Sequence, residues 1–254
     1  MAYSRVRIQV PDIQQSFRDG SYNYSNPSTK DSNSITIRSI DTRYGRSIDR
    51  WSTVFEIPRG VIIAFIATES GGKANAISSV GCCFGLMQVS PDGLWEAARK
   101  WSREVSVPLS RETVQALTSK VSDFFTSKSS QPSSSQSNRI KNALLTDTDF
   151  SIMAGTLMLR WLIERFSNVL TGGQLNKAIV AFNAGPYLRV LQVPGTSTTP
   201  NEIPIDSTSL LNLTISWQGK TYRVPSESRG YLLKMLGIDG FMSLIYKDKV
   251  TRGI

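Results

Sequence analysis

The sequence predicts a mainly helical fold of the α+β class, with one small β-hairpin and an extended N-terminal arm. Over most of residues 51–254, apolar side chains recur every three or four positions, which is the period of an amphipathic helix. A single stretch, LTISWQGKTYRV, indicates two short strands on either side of Gln218 and Gly219. Residues 1–50 are polar, with only one short alternating patch, RVRIQV, before Pro11. We therefore expect one helical domain preceded by an arm.

The N-terminal arm, residues 1–50, is rich in Ser, Asn, Asp and Arg and cannot bury enough apolar surface to fold alone. We expect it to be disordered or to order on a partner. The opening segment MAYSRVRIQVPDIQQSF lacks the unbroken apolar core and the small-residue cleavage site of a signal peptide. No apolar run approaches the roughly 18 residues that span a bilayer. The expectation is a protein made in a cytoplasm, without an export signal or a transmembrane segment.

A buried helix is predicted after Pro58, which suits the first helical position, because an apolar run follows until Gly71 and Gly72 stop it. A second helix opens at Pro91 with Ser90 as its cap, and its apolar residues repeat at helical intervals. The segment GCCFGLMQV lies between these two helices.

Further helices are predicted over residues 114–124, 152–166 and 175–182 from apolar residues at helical spacing. The Ser-rich stretch 126–139 predicts a flexible loop or insertion rather than a domain boundary, because the helical pattern resumes directly beyond it. The motif NAGP ends the last of these helices, with Gly185 placed to form a left-handed cap.

The C-terminal part changes character at residues 191–225, which hold many Thr, Ser and Pro residues. We predict an insertion there that contains the hairpin. A last helix is predicted from a Ser226 cap to Gly237. The predicted domain therefore covers residues 51–254, with the loop and the insertion as additions.

The amino-acid composition limits the kinds of partner and catalytic chemistry that this chain can have. The chain of 254 residues is long enough to bury a real core. Its net charge of +9 suits nucleic acid, an anionic cell-wall polymer or a membrane surface, or no specific partner at all. It has no histidine, which excludes His-based triads and the commonest metal ligand. The adjacent Cys82 and Cys83 predict neither a disulfide framework nor a metal set, and we expect buried thiols. No cofactor or metal is expected.

Glu69 closes the apolar run VIIAFIATE as its one carboxylate. At the C-terminal end of a buried helix, desolvation and the negative end of the helix dipole both disfavour ionisation, so we expect a raised pKa. A carboxyl group that stays protonated near neutral pH is what a general acid requires. On this segment alone, the alternative is a glutamate at a helix end that simply reaches solvent.

Four short motifs follow one another along the chain: ESGG at 69–72, GLMQ at 85–88, AFNAG at 181–185 and ESRGY at 227–231. In order and approximate spacing they resemble the lytic transglycosylases with a soluble-lytic-transglycosylase type of domain, a fold similar to goose-type lysozyme. The block IPRGVIIAFIATESGGKANAISSVGCCFGLMQVSP also resembles the first block of that family, and FSIMAGTLMLRWLIERF resembles its middle helix. The resemblance covers residues 56–240 and implies a lysozyme-like helical domain.

The resemblance implies that Glu69 is the single catalytic acid and base, and that Ser70 beside it helps to position the substrate. It implies that Tyr231 hydrogen-bonds the catalytic glutamate and that Gln88 contacts a sugar. The remaining matches would line or support the cleft: Gly85, Leu86 and Met87 in its floor, where Met87 would also contact a sugar, Ala181, Asn183, Ala184 and Gly185 beside the reacting sugar, and Glu227 and Arg229 before the tyrosine.

Taken singly, several of these residues have an ordinary structural explanation. Leu86 and Met87 would be core residues in most proteins, Asn183 a helix terminator and Tyr231 a half-buried aromatic. The chain also departs from the family, which usually has a small residue at position 83. Its stretch between the last two motifs is longer than in the family, so closure of the cleft on that side is open.

The implied activity is cleavage of the β-1,4 bond between N-acetylmuramic acid and N-acetylglucosamine in peptidoglycan. The product would end in a 1,6-anhydromuramoyl sugar, because the C6 hydroxyl of the substrate replaces water as the nucleophile. A hydrolase with two carboxylates needs its second acid about 5 to 10 Å from the first, and the motifs offer only Glu227. Hydrolysis by the goose-lysozyme route and a non-catalytic structural tail component remain alternatives.

The resemblance and the absence of an export signal together predict a bacteriophage virion protein, in the tail or inside the particle. It would open peptidoglycan locally in the host periplasm during genome entry, and residues 1–50 would dock on other virion proteins. A free endolysin is the next possibility. The predicted partner is the glycan strand rather than nucleic acid, because the basic residues are dispersed and form no recognised nucleic-acid motif.

Overall fold

The structure, a computed structural model, describes residues 30–105, 108–166, 174–187, 214–217, 220–237 and 239–246. Its helices are α1 (Lys30–Phe55), α2 (Arg59–Glu69), α3 (Pro91–Glu104), α4 (Arg111–Lys120), α5 (Ser134–Thr146), α6 (Thr148–Arg165), α7 (Gln174–Ala184), α8 (Ser226–Leu236) and α9 (Phe241–Tyr246). Its strands are β1 (Thr214–Trp217) and β2 (Lys220–Arg223). This confirms the predicted mainly helical fold with a small hairpin. None of the described helices is both long and apolar enough to cross a membrane.

The chain divides into two compact units. Of the described residues, 36–161 belong to the first unit, and 30–35 together with those from 162 onward belong to the second unit. A single domain over residues 51–254 stays a prediction.

Helix α1 occupies much of the segment that the sequence predicts as a polar arm. Its buried side chains share one side of the helix: Ile37, Ile40, Ile48, Trp51 and Phe55. These apolar residues stand among Ser, Asp, Arg and Thr, so their helical spacing is diluted in a segment that is polar on average. The predicted boundary at residue 50 is therefore corrected, because the folded part already includes residue 30. Residues 1–29 lie outside the described residues.

Helix α2 begins at Arg59, so Pro58 occupies the N-cap rather than the predicted first helical position, and residues Gly60–Thr68 are all buried. Its first residue, Arg59, forms ion pairs with Asp41 at 2.7 Å and Asp49 at 2.8 Å, both on α1. Burial alone would lower the pKa of Arg59, but the hydrogen bonds to the two carboxylates raise it overall. Helix α1 thus fixes the position at which α2 starts.

Three helices of the first unit start at serine caps, one of which is Ser110 of α4, whose Oγ accepts from the N–H of Thr113 at 3.1 Å. Ser90 accepts a hydrogen bond from the backbone N–H of Gly93 at 3.0 Å, which confirms the predicted cap of α3. Ser133 and Gln136 form a capping box at the start of α5. The Ser-rich stretch predicted as a loop over residues 126–139 therefore ends at Ser133, because its last serines cap a helix or lie within it.

Helices α7, α8 and α9 belong to the second unit, where α8 packs against both of the others. Helix α7 ends as predicted, since Gly185 has a φ of 89° and its N–H donates to Ala181 O at 2.8 Å. Pro225, rather than the predicted Ser226, occupies the N-cap of α8. Helix α9 was not predicted, because its six residues are too few to display a period.

The predicted hairpin is present in the second unit. Strands β1 and β2 pair antiparallel, and Thr214 lies opposite Arg223 at one end of the ladder. Trp217 lies opposite Lys220 at the other end of the ladder, and the two predicted turn positions between them lie outside the described residues. Residues 191–213 of the predicted insertion lie outside the described residues.

Candidate active site

The turn after α2 fixes the backbone beside Glu69. Glu69 is the last residue of the helix and is half-buried. Ser70 caps the helix with its N–H, which donates to Ile66 O at 3.1 Å, and its Oγ accepts from Gly72 N at 3.1 Å. Gly71 and Gly72 have φ values of 62° and 80°, a conformation that glycine adopts at low cost. Ser70 thus has an internal role as a cap, and its contact with substrate stays a prediction.

Helix α1 touches this turn through a residue that sequence reasoning missed. The Tyr44 hydroxyl donates to Gly72 O at 3.0 Å. On the same turn, a Cβ atom added to Gly72 would lie 2.8 Å from Cγ1 of Ile40. No local pattern links residues 28 positions apart, so only the fold reveals this contact.

Hydrogen bonds within the loop between the first two motifs fix its conformation. Phe84 pairs with both Ile77 and Val89 in short antiparallel bridges. Ser78 Oγ accepts hydrogen bonds from the N–H groups of Cys82 and Cys83, each at 3.2 Å. The segment GCCFGLMQV is therefore a structured loop that leads from the turn after α2 to the helix α3.

Cys83 lies close enough to Glu69 to be influenced by its charge. Burial raises the pKa of Cys83 to about 12, and the neighbouring Cys82 and the negative charge of Glu69 add to the effect. The Cys83 thiol is therefore protonated at neutral pH. Cys82 is exposed and Cys83 only half-buried, so the expectation of two buried thiols is wrong for Cys82.

Gly85 begins the second motif at a position where no side chain fits. Its φ is 77°, and its N–H donates to Ala76 O at 2.9 Å. A Cβ atom there would collide with Leu144 O and with Ser151 Oγ. Ser151 Oγ also accepts a hydrogen bond from the N–H of Leu86 at 2.9 Å, so α6 fixes the start of this motif.

Leu86 and Met87 are completely buried. Met87 packs against Gly155 of α6, where an added Cβ atom would lie 2.8 Å from Met87 Cγ. This explains why position 155 of α6 is glycine, because any larger side chain would displace Met87. The structure differs from the predicted sugar contact for Met87, because its side chain has no exposed surface and forms the core beneath the loop.

Gln88 is the residue of the second motif that offers a polar atom. It is half-buried and has a φ of 47°, which is uncommon outside glycine. Its Nε2 donates to Gly85 O at 2.8 Å and to Ala76 O at 3.0 Å. Among the described residues, no hydrogen bond uses its Oε1, so this oxygen remains available to accept from a sugar hydroxyl or an amide N–H.

The second unit holds the third and fourth motifs. Asn183, half-buried near the end of α7, accepts a hydrogen bond on Oδ1 from Ser228 Oγ of α8 at 2.7 Å. Ser228 is buried, and sequence reasoning missed it between the predicted Glu227 and Arg229. With Oδ1 occupied, the Asn183 amide presents its N–H groups as donors. Ala184 follows as the half-buried last residue of α7.

The other residues of the fourth motif differ in exposure. Tyr231 is largely buried, whereas Glu227 and Arg229 are exposed in the first turns of α8. The predicted hydrogen bond from Tyr231 to Glu69 would join the two units and stays a prediction. The supporting roles of Glu227 and Arg229 also stay predictions.

Most other carboxylates of the first unit have structural partners. Ion pairs or hydrogen bonds engage Asp41 and Asp49 with Arg59, Glu96 with Lys100, Glu104 with Trp161, Glu112 and Asp149 with Arg50, Asp123 with Gln136, and Asp147 with Lys120. Each of these carboxylates thus already has a partner within the first unit. Within the part of the chain that the structure describes, no group of three Cys, Asp or Glu residues could hold a metal ion.

A cavity of about 320 Å³ lies in the first unit between the end of α1 and α3. Its lining is Thr53, Val54, Phe55, Glu56, Trp101, Val105, Pro108, Ser110 and Arg160. None of the predicted site residues is among them, so this cavity is separate from the candidate site.

No protein-family model matches the chain, and no curated protein matches it either. Among solved structures, it is similar to an inactive mutant of the lytic transglycosylase Slt from Pseudomonas aeruginosa, with 19% sequence identity and a TM-score of 0.45. The similarity covers 84% of this chain and 27% of that one, so the chain spans about a quarter of the length of that protein.

Proposed function

We propose that this protein is a peptidoglycan lytic transglycosylase, with Glu69 as its catalytic acid and base. The observation that carries the proposal is the setting of Glu69: a half-buried carboxyl group at the end of a buried helix, held by a capped turn. The structured loop that follows offers the Oε1 atom of Gln88 to a donor on the substrate. The order of the four motifs supplies the class of substrate, a glycan of alternating N-acetylmuramic acid and N-acetylglucosamine.

The proposed reaction needs one carboxyl group in two states. Protonated Glu69 donates its proton to the bridging oxygen, and the bond from C1 of the muramoyl sugar to that oxygen breaks. The N-acetyl group of the substrate stabilises the positive charge that develops at C1. The Glu69 carboxylate then takes the proton of the C6 hydroxyl, whose oxygen bonds to C1. Glu69 recovers its proton, and no water is consumed.

The hydrogen-bonding groups around the motifs suit this scheme. In the first unit, Gln88 Oε1 is an acceptor for a sugar hydroxyl or an amide N–H. In the second unit, the Asn183 amide is a donor. Tyr231 is proposed to hydrogen-bond Glu69 and to keep its carboxyl group aligned. The scheme requires no second catalytic carboxylate. Most other acidic residues of the first unit are engaged in structural contacts.

Replacement of the proposed acid tests the assignment. Glu69→Gln keeps the shape of the side chain but cannot donate or accept the catalytic proton, so turnover of purified peptidoglycan should fall by at least about 10²-fold. Glu96→Gln is the matched control, because Glu96 forms an ion pair with Lys100 within α3 and is none of the predicted site residues. Residual activity of Glu69→Gln close to that of the control would contradict the assignment.

We also propose that the enzyme acts as a virion protein of a bacteriophage during genome entry. The net charge of +9 supports contact with anionic wall polymers, and the polar segment before α1 would provide a docking element. Mass spectrometry of purified virions tests this proposal. Detection of the protein in the particle supports it, whereas appearance only in the lysate at lysis favours a free endolysin.

A further inference from the structure

Helix α1 reaches the turn that follows Glu69 through one hydroxyl group. Tyr44 is half-buried, and its Oη donates to the carbonyl oxygen of Gly72 at 3.0 Å. That carbonyl belongs to the last residue of the ESGG motif, three positions beyond Glu69. The bond therefore ties a helix that precedes the motifs to the turn that carries the proposed acid.

A second contact from α1 acts on the same residue. Ile40, one helical turn before Tyr44, is buried and lies against the backbone of Gly72, where an added Cβ would be 2.8 Å from Ile40 Cγ1. A hydrophobic contact and a hydrogen bond from one face of α1 thus meet at Gly72. We call this pair of contacts the α1 clamp.

The beginning of α2 is held by the same helix. Arg59 pairs with Asp41 and Asp49 on α1, so α1 fixes both the first residue of α2 and the turn after its last residue. These contacts restrict how far α2, and Glu69 at its end, can slide or rotate relative to α1. A group that must protonate one oxygen and then accept a proton from another requires such fixed placement, because a displacement of about 1 Å can cost about 10²-fold in rate.

We propose that Tyr44 is a positioning residue, which holds the ESGG turn through Gly72 O and thereby places the Glu69 carboxyl group for proton transfer. This inference rests on the proposed function. It assigns a catalytic consequence to α1, which none of the four motifs includes. Tyr44 itself is not proposed to touch the substrate.

Replacement of Tyr44 by Phe removes only the hydroxyl and leaves the ring in place. We expect kcat on soluble peptidoglycan fragments to fall about tenfold with KM close to that of the wild type, because Glu69 is misplaced while the sugar-binding groups are kept. We also expect the amide hydrogens of Gly71, Gly72 and Lys73 to exchange about fivefold faster, because the turn has lost one hydrogen bond. Amides of α5 should exchange as before.

Ser52→Ala is the matched control. Ser52 Oγ donates to the carbonyl oxygen of Ile57 at 2.6 Å, so this variant loses the same kind of bond from the same helix, but away from Gly72. A loss of stability common to both variants would appear in both Tm values. Only Tyr44→Phe should lower kcat and loosen the ESGG turn.

The outcomes separate this inference from the proposed function. Faster exchange at the turn with lowered kcat and unchanged KM supports the positioning role. Unchanged exchange, or faster exchange with wild-type kcat, overturns it while the enzyme assignment stands. A folded wild-type protein that releases no fragments overturns the proposed function and the catalytic role of Tyr44 together, and the exchange rates then report on the α1 clamp alone.

Discussion

Glu69 lies where the buried helix α2 ends and the chain becomes partly exposed to solvent. The residues before it, Gly60–Thr68, are buried, whereas Glu69 and Ser70 are half-buried. The carboxyl group can therefore meet a substrate from one side while apolar residues of α2 lie behind it. At the scale of single residues, this setting and the acceptor on Gln88 are the features on which the proposed chemistry depends.

Cys83 provides a prediction at the residue scale, because its titration reports on the surroundings of Glu69. Unfolded thiols ionise near pH 9, whereas Cys83 in the fold stays protonated until about pH 12. Between these values the unfolded chain releases a proton that the folded chain keeps. The contribution of Cys83 to stability is therefore full below about pH 9 and is lost as the pH rises towards about 12.

Cys83→Ser removes this titration, since serine does not ionise in that range. We expect the Tm of the wild type, measured relative to that of the variant, to be lower at about pH 10 than at about pH 7. Cys82→Ser should reduce this pH dependence without abolishing it, because burial is the largest cause of the raised pKa of Cys83 and Cys82 only adds to it. A Tm difference between wild type and Cys83→Ser that does not change with pH would show that the buried thiol titrates normally.

At the scale of elements, α1 and α6 support the two parts of the candidate site that belong to the first unit. Helix α1 contacts the turn after α2 through Tyr44, and α6 supports the second motif through Ser151 and Gly155. Both supports act on backbone or on buried side chains rather than on groups that would face a sugar. The loop between α2 and α3 therefore depends on two distant helices for its shape.

Gly155→Ala tests how closely α6 approaches the second motif. A Cβ atom at position 155 would lie 2.8 Å from Met87 Cγ, and overpacking of this kind typically destabilises a protein by about 1–3 kcal/mol. We expect a lower Tm and reduced activity, because Met87 must shift beneath Gln88. Thermal unfolding monitored by circular dichroism measures the change.

Gly230→Ala is the matched control for that substitution. Gly230 is inside helix α8, and no atom lies within 4 Å of a Cβ atom added to it. Alanine should therefore stabilise this helix by roughly 0.5–1 kcal/mol, as it does in helix interiors generally. Equal effects of the two substitutions on Tm would mean that Met87 does not pack against Gly155 as described.

At the scale of the whole molecule, the sequence predicts those features that local signals encode. Ser90 and Gly185 mark helix ends, and the structure confirms both, whereas Pro58 marks the start of α2 from one position earlier than predicted. Helix α1 was missed over residues 30–50, because its few buried isoleucines are dispersed among polar residues. The fold class was therefore predictable, whereas the extent of the folded part was not.

In the candidate site too, local signals identified some residues and missed those whose contacts are distant in sequence. Glu69 and Gln88 were identified by their motifs, because each motif is a short run of consecutive residues. Tyr44 and Ser228 act through contacts with residues 28 and 45 positions away, and no period or motif displays such pairs. The burial of Met87 beneath the loop likewise depends on α6, which is distant in sequence.

The proposed activity is defined by one chemical outcome, the structure of the sugar end that the protein produces. Mass spectrometry of muropeptides released from purified peptidoglycan, with Glu69→Gln as the inactive control, measures it most directly. Transglycosylation predicts 1,6-anhydromuramoyl ends, each lighter than a hydrolysed end by one water molecule. Reducing ends would contradict this account and define a hydrolase of the lysozyme kind, and no release by the folded wild type would indicate a structural protein.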